Sequence, residues 1–163
     1  MKSTVDISAI LSGMHTDKKI QIRGWLHNMR SSGGIHFLLI RDGTGIIQCT
    51  LKKGSVEDKI FEEAKTLTQE SSLEVTGIVK EDRRAPGGYE IRVENIKIYH
   101  RAEEGYPIAK KYHGPDFLLD NRHLWIRSQK MQTILRIRAK FLEAAREWFK
   151  MNGFTEFHSP TLI

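Results

Sequence analysis

Arg30, Phe37, Arg41 and Gln48 bring two guanidiniums, an aromatic ring and a carboxamide into one short stretch, KIQIRGWLHNMRSSGGIHFLLIRDGTGIIQCTL at 19–51. On one exposed sheet face, such a set has a definite chemistry. The ring can stack on a flat heteroaromatic base, and the guanidiniums can meet phosphate. The amide can both donate to and accept from a base edge. That is the equipment of a single-stranded nucleic-acid platform. The other reactive residue types offer less. The seven histidines show no metal-ligand spacing, and the single cysteine, Cys49, can form no internal disulfide. Cys49 is expected in the core, and no metal site and no catalytic residue are expected.

These side chains need strands to position them. Ile20 and Ile22 alternate with Gln21 and Arg23, the two-residue period of a half-buried strand. This first strand is expected over about 18–30, with Gly24 marking a bulge or sharp coil. Ser31-Ser32-Gly33-Gly34 and Asp42-Gly43-Thr44-Gly45 break the run into three strands joined by tight turns. In the second strand, Ile35, Phe37, Leu39 and Arg41 share one face and His36, Leu38 and Ile40 the other. Both faces are largely apolar, so alternation alone leaves Phe37 open between core and surface. In the third, Ile47, Cys49 and Leu51 face one way, and Ile46, Gln48 and Thr50 the other.

The order of elements carries further. A short helical turn over 6–11, capped by Ser3 or Asp6, precedes the first strand. A helix is expected from Ser55, with Val56, Ile60, Phe61, Ala64 and Leu67 in one apolar stripe. Two more strands follow around 73–79 and 91–98, the second with its phase slipping by one residue at Glu94-Asn95, a bulge. Three strands, a helix and two strands is the order of an OB-fold, a five-stranded barrel whose first three strands form the usual oligonucleotide face. The domain is expected over 1–101. The stretch 102–127 reads as an extended linker. A long helix from Ser128, stopped by Asn152-Gly153, then leads into a strand from Phe154 ending at Pro160.

Composition is consistent with this. The chain has 163 residues, of which 39% are hydrophobic and 28% charged, so a modest core is expected rather than disorder. No run approaches the roughly 20 apolar residues of a membrane helix. The start lacks an apolar signal core, which predicts a cytoplasmic protein without a membrane partner. Net charge is +6, of which residues 1–109 carry +1 and residues 110–163 carry +5. The basic excess suits a polyanion, although part of it can simply solvate the helix.

RSSGGIHFLLIRDGTGIIQ resembles the anticodon-binding domain of the aspartyl, asparaginyl and lysyl tRNA synthetases, the class IIb group. LLDNRHLWIRS, the long helix and NGFTEFHSPTLI resemble the entry to their catalytic domain. The last segment is similar to the first class II motif, with Pro160 as its proline. RDGTG favours the aspartyl and asparaginyl branches, and RHLWIRS resembles the asparaginyl one. The resemblance implies an OB-fold followed by the first helix and strand of a class II catalytic domain. It puts Phe37 outward, stacked on a central anticodon uridine. Gln48 would read that base's edge and Arg30 would add a guanidinium, whereas Arg41 is expected to be structural, paired beside the Asp42 turn. Glu90 can approach the first anticodon base, or be a plain cross-strand charge. Lys110, Lys111 and Arg122 lie where the tRNA stem would pass. Phe154 and Pro160 belong to a motif that builds a homodimer.

The second and third motifs, which grip ATP, are not among these residues. The chain alone is therefore expected to bind tRNA without aminoacylating it. ATP and magnesium are expected only for the full-length enzyme. An aspartyl enzyme stays open, as do a stand-alone OB-fold that binds single strands without sequence preference and a non-enzymatic assembly module built on 128–163.

Overall fold

The computed structural model describes residues 4–108 and 111–160. Strands form where side chains alternate. β1 (Lys19–Ser32), β2 (Ile35–Arg41) and β3 (Ile46–Lys52) pair antiparallel in succession. β1 and β2 meet at Gly33-Gly34, both at positive φ (56° and 78°), the two-residue turn that matches strand twist. β4 (Ser72–Glu81) and β5 (Tyr89–His100) pair antiparallel, β4 returns to the first half of β1, and β5 lies parallel to β3. The sheet thus closes as β1-β2-β3-β5-β4. Closure removes both sheet edges. Inside it, Ile22, Leu26, Leu38, Ile40, Val75 and Ile91 are fully buried.

One bulge falls where the phase slip predicts it. Thr76 pairs Asn95 while Gly77 pairs Val93, leaving Glu94 as the extra residue. The bulge in β1 lies elsewhere than expected, between Leu26 and Asn28 rather than at Gly24. Gly24 sits where β1 passes from one partner to the other: it pairs Leu73, and the next residue, Trp25, pairs both Ser72 and Arg41. Its lack of a side chain answers a close approach of backbone, not a bulge.

Two helices cover the barrel. α1 (Ile7–Leu11) buries Ile7 and Ile10. Asp6 occupies its N-cap position without a side-chain cap bond, and Ser3 lies outside the described residues. The cap comes from the β2–β3 turn. Asp42 Oδ2 accepts from the Ile7 N–H at 2.9 Å, and Thr44 Oγ1 accepts from the Ser8 N–H at 3.0 Å. Asp42 Oδ1 meanwhile accepts from the N–H groups of Thr44 and Gly45 at 2.6 and 2.8 Å. One carboxylate thereby shapes the turn and satisfies an orphan helix donor. α2 (Asp58–Lys65) starts three residues after Ser55. Ser55 instead donates to the Lys52 carbonyl and rounds off β3. Phe61 and Ala64 of α2 are buried, and Phe61 stacks on His36 with centroids 4.2 Å apart.

The chain divides into two units, Met1–Tyr106 and Pro107–Ile163. The expected linker over 102–127 is not extended throughout: it holds α3 (Pro115–Asp120) and α4 (Arg122–Trp125), with Pro115 at the first turn where its missing N–H costs nothing. α5 (Gln129–Met151) is capped by Ser128, whose hydroxyl accepts from the Met131 N–H. It leaves Phe141 71% and Trp148 54% exposed. The strand expected from Phe154 to Pro160 is absent, as residues 154–160 have no ladder. A strand needs a neighbour for its N–H and C=O groups, and none pairs with it among the described residues. No helix among the described residues is long and apolar enough to cross a membrane.

Candidate nucleic-acid interface

The barrel register aligns the outward side chains of four strands. Arg30 of β1 pairs Phe37 of β2, Phe37 pairs Thr50 of β3, and Thr50 pairs Arg92 of β5. In the neighbouring row, Leu39 pairs Gln48 and Gln48 pairs Glu90. Phe37 is half-buried and faces outward, since His36, Leu38 and Ile40 on the alternate positions are buried. The Arg30 guanidinium lies over its ring, 4.4 Å from the centroid. One face of the ring is therefore already preferred by a flat cation, and a planar base presents a similar stacking partner.

Gln48 departs from its expected exposure. It lies on the outer side of β3 but is only 6% exposed, like Glu90 beside it. Its Nε2 donates to Glu90 Oε2 at 3.3 Å, and Thr50 Oγ1 donates to the same oxygen at 2.6 Å. Arg92 Nε reaches Glu90 Oε1 at 3.5 Å, from a side chain 66% exposed. Three side chains, two from β3 and one from β5, thus converge on one carboxylate. The amide is held, the hydroxyl is anchored, and an exposed guanidinium stands at the rim. Thr50 and Arg92 were not singled out in the sequence. Thr50 shares the alternation of Gln48, but the parallel β3–β5 pairing that brings in Arg92 leaves no local signal.

Arg41 is structural through a different partner. Asp42 serves its own turn, and Arg41 Nη2 instead donates to both oxygens of Glu70, at 3.1 and 2.8 Å. Arg41 also lies 5.7 Å from the centroid of the Trp25 ring. Its side chain is 12% exposed, so it is not one of the open cations of the face. Cys49 points inward, and burial, with the Glu90 charge adding, pushes its thiol well above the ordinary value. It is a core residue with no thiolate to offer. Burial, helped by the Lys65 charge, holds His36 below its ordinary value, so it is a neutral ring beneath the hairpin. A second polar group lies on β1, β4 and β5: Glu74 accepts from Arg23 Nε at 2.8 Å and from the Tyr99 hydroxyl at 2.7 Å.

The other sequence candidates lie in the second unit. Lys111 and Arg122 are exposed, and Lys110 falls outside the described residues. Phe154 is 61% exposed, and Pro160 is exposed. Among the described residues no group of three or more His, Cys, Asp or Glu could hold a metal ion.

The β4–β5 turn borders the Glu90 end of the face. There the Arg84 side chain, then its backbone N–H, holds the Asp82 carboxyl down at about 2. The folded value lies below the ordinary 3.8. The turn's stabilisation is therefore complete above about pH 4 and lost as pH falls towards 2. A carbon-detected NMR titration of Asp82 is expected to show its midpoint near 2, and in Arg84→Ala to show it returned towards the ordinary value. An unchanged midpoint in the variant would contradict the assignment.

Two family models match the chain. Residues 20–99 match the OB-fold nucleic acid binding domain, and residues 114–163 match the tRNA synthetases class II (D, K and N). The chain is 51% identical over 150 residues to the asparagine–tRNA ligase of Desulforamulus reducens, covering 92% of this chain and 34% of that protein. It is 47% identical over 148 residues to the asparagine–tRNA ligase of Thermus thermophilus, with 91% and 34% covered. The chain thus spans about a third of the length of the curated relatives it matches. Among solved structures, asparaginyl-tRNA synthetase from Pyrococcus horikoshii, complexed with asparaginyl-adenylate, superposes with a TM-score of 0.89 at 38% identity, over 100% of this chain and 38% of that one. Aspartyl tRNA synthetase from Entamoeba histolytica superposes at 0.85 with 25% identity, over 99% and 40%.

Proposed function

We propose, from the premise that this chain belongs to the class II tRNA synthetases of the D, K and N group, that its barrel binds the anticodon loop of tRNA and reads the central base. The observation that carries this reading is the outward pairing of Arg30 with Phe37, with the held amide of Gln48 in the next row. Phe37 supplies a stacking surface for an unpaired base. Stacking alone accepts any base, so specificity falls to the amide. Arg30 and Arg92 supply charge for the loop's phosphates. Glu90 would lie beside the first anticodon base, and Lys110, Lys111 and Arg122 would meet the stem backbone.

The tRNA read is that for asparagine. The supporting fact is the identity of 47–51% to asparagine–tRNA ligases, with the asparaginyl-tRNA synthetase of Pyrococcus horikoshii at 38% among solved structures. The whole ligase would activate asparagine with ATP and transfer it to that tRNA in the cytoplasm. ATP and magnesium are assigned to the whole enzyme, and no residue of this chain is assigned to hold them. The present residues contribute binding and no chemical step. The exposed apolar side chains of α5, with Phe154 and Pro160, form the surface through which two copies would pair.

The test is to titrate an anticodon stem-loop for asparagine into isotope-labelled protein and follow amide shifts. Shifts concentrated at Arg30, Phe37, Gln48, Thr50 and Glu90 are expected. Shifts confined to the basic second unit would overturn the reading, and equal shifts with unrelated single strands would reduce it to a sequence-blind OB module.

A further inference from the structure

Glu90 has a geometry that base contact alone does not require. Glu90 is 6% exposed, and its carboxylate meets side chains of the neighbouring strand β3. There it collects the Thr50 hydroxyl at 2.6 Å and the Gln48 amide nitrogen at 3.3 Å on the same oxygen. We propose that Glu90 is a positioning residue for base choice, fixing which end of the Gln48 amide meets the base.

A carboxamide is nearly symmetric in shape but not in hydrogen bonding. Its oxygen and nitrogen have nearly the same size, and a half-turn about the last side-chain bond exchanges acceptor for donor. A free glutamine can therefore present either group and match either kind of base edge. A carboxylate accepts hydrogen bonds and cannot donate them. With Glu90 beside it, the Gln48 nitrogen must face the carboxylate, and the carbonyl is left for the base. The near-complete burial of both residues makes the reverse orientation costly, because it sets two oxygens against each other away from water.

Thr50 makes the lock rigid. Its hydroxyl donates to the same Glu90 oxygen, so the carboxylate cannot swing away without losing a short bond. The backbone adds to this: Gln48 and Glu90 are direct register partners across the parallel β3–β5 pair, which sets their Cα separation. The consequence is a preference written in one atom. A fixed carbonyl accepts from a base that carries a ring N–H at its pairing edge, as uracil does. It repels cytosine, whose equivalent ring nitrogen is an acceptor. Uracil and cytosine stack alike on Phe37, so this atom separates two bases that the ring does not.

The inference rests on the reading that Gln48 faces the central anticodon base, and the experiment separates the two. Equilibrium binding is measured for two stem-loops that differ only in uridine or cytidine at that base. The proteins are the wild type, Glu90→Gln and Thr50→Val. The wild type is expected to prefer the uridine loop. Glu90→Gln keeps the side chain's shape but can donate as well as accept, so the amide is free to turn. Its uridine-to-cytidine preference is expected to fall roughly tenfold, chiefly through tighter binding of the cytidine loop. Thr50→Val leaves the Gln48–Glu90 contact in place but frees the carboxylate to swing, and is expected to lower the preference by less than Glu90→Gln does. A thermal melt checks the fold of each protein. If Glu90→Gln does not fold, Glu90→Asp, which withdraws the carboxylate by one methylene, is expected to lose the preference instead. A wild type that discriminates beside a Glu90→Gln protein with the same preference, or with both loops weakened equally, overturns the positioning role and leaves the anticodon reading intact. A wild type that treats both loops alike overturns both.

Discussion

Gly24→Ala is expected to destabilise the barrel by about 3 kcal/mol or more, which lowers its melting temperature by roughly 12–24 °C for a domain of this size. The reason is a single approach of backbone to backbone. A Cβ built at Gly24 would lie 2.5 Å from the Arg41 carbonyl oxygen and 2.8 Å from Ile40 Cγ2. Neither neighbour can retreat cheaply. Ile40 is fully buried, and Arg41 ends β2, paired to Trp25 and tied through its side chain to Glu70. β1 changes partners at this point, so pushing it away from β2 also strains its pairing with β4 at Leu73. Gly43→Ala is the control. A Cβ there meets nothing within 4 Å, and its effect is expected to stay within about 0.5 kcal/mol. Circular-dichroism melts of the two variants decide the matter: equal melting temperatures would contradict the role given to Gly24.

Phe37→Ala is expected to weaken anticodon stem-loop binding by roughly 1–3 kcal/mol, about 5- to 150-fold, with little change in the melt. The ring lies on the outer side of β2, while the core positions beside it are Leu38 and Ile40, so its removal leaves no buried cavity. The fold loses the Arg30 contact at 4.4 Å, an exposed cation–π pair of about 0.5–1 kcal/mol, and the packing of a half-buried ring on the sheet surface. The complex loses a base stack. Phe37→Tyr keeps a stacking face and is expected to retain most of the affinity. Fluorescence anisotropy with a labelled stem-loop reads both variants. An Ala variant that binds as tightly as the parent would remove Phe37 from the interface.

Much of this arrangement is legible in the residues, and the exceptions have physical causes. Alternation placed the strands because each barrel strand has one dry face. The slip at Glu94 was visible because a bulge displaces every later side chain by one step. Alternation could not decide Phe37, since both faces of β2 are apolar; the covering helix α2, with Phe61 against His36, makes the second face the interior. The partner of Arg41 was misread because proximity in sequence favours Asp42, whereas Glu70 arrives from 29 residues away. Gln48 looked exposed because nothing near it in sequence announces Glu90, which is 42 residues distant and delivered by the parallel β3–β5 pairing. Asp42 capping α1 is a long-range event of the same kind. The strand expected after Phe154 fails for a different reason. Its residues suit a strand, but propensity makes no ladder without a neighbour.

The barrel is expected to read one base, through a stacking ring and an oriented amide. The most direct measurement is the affinity of the 163-residue chain for two anticodon stem-loops, identical except for uridine or cytidine at the central base, at fixed salt. Phosphate contacts are common to both loops and cancel in the ratio. The uridine loop is expected to bind roughly tenfold or more tightly, the effect of one edge contact made or opposed away from water. Equal affinities would contradict it and leave a platform that stacks on bases without telling them apart.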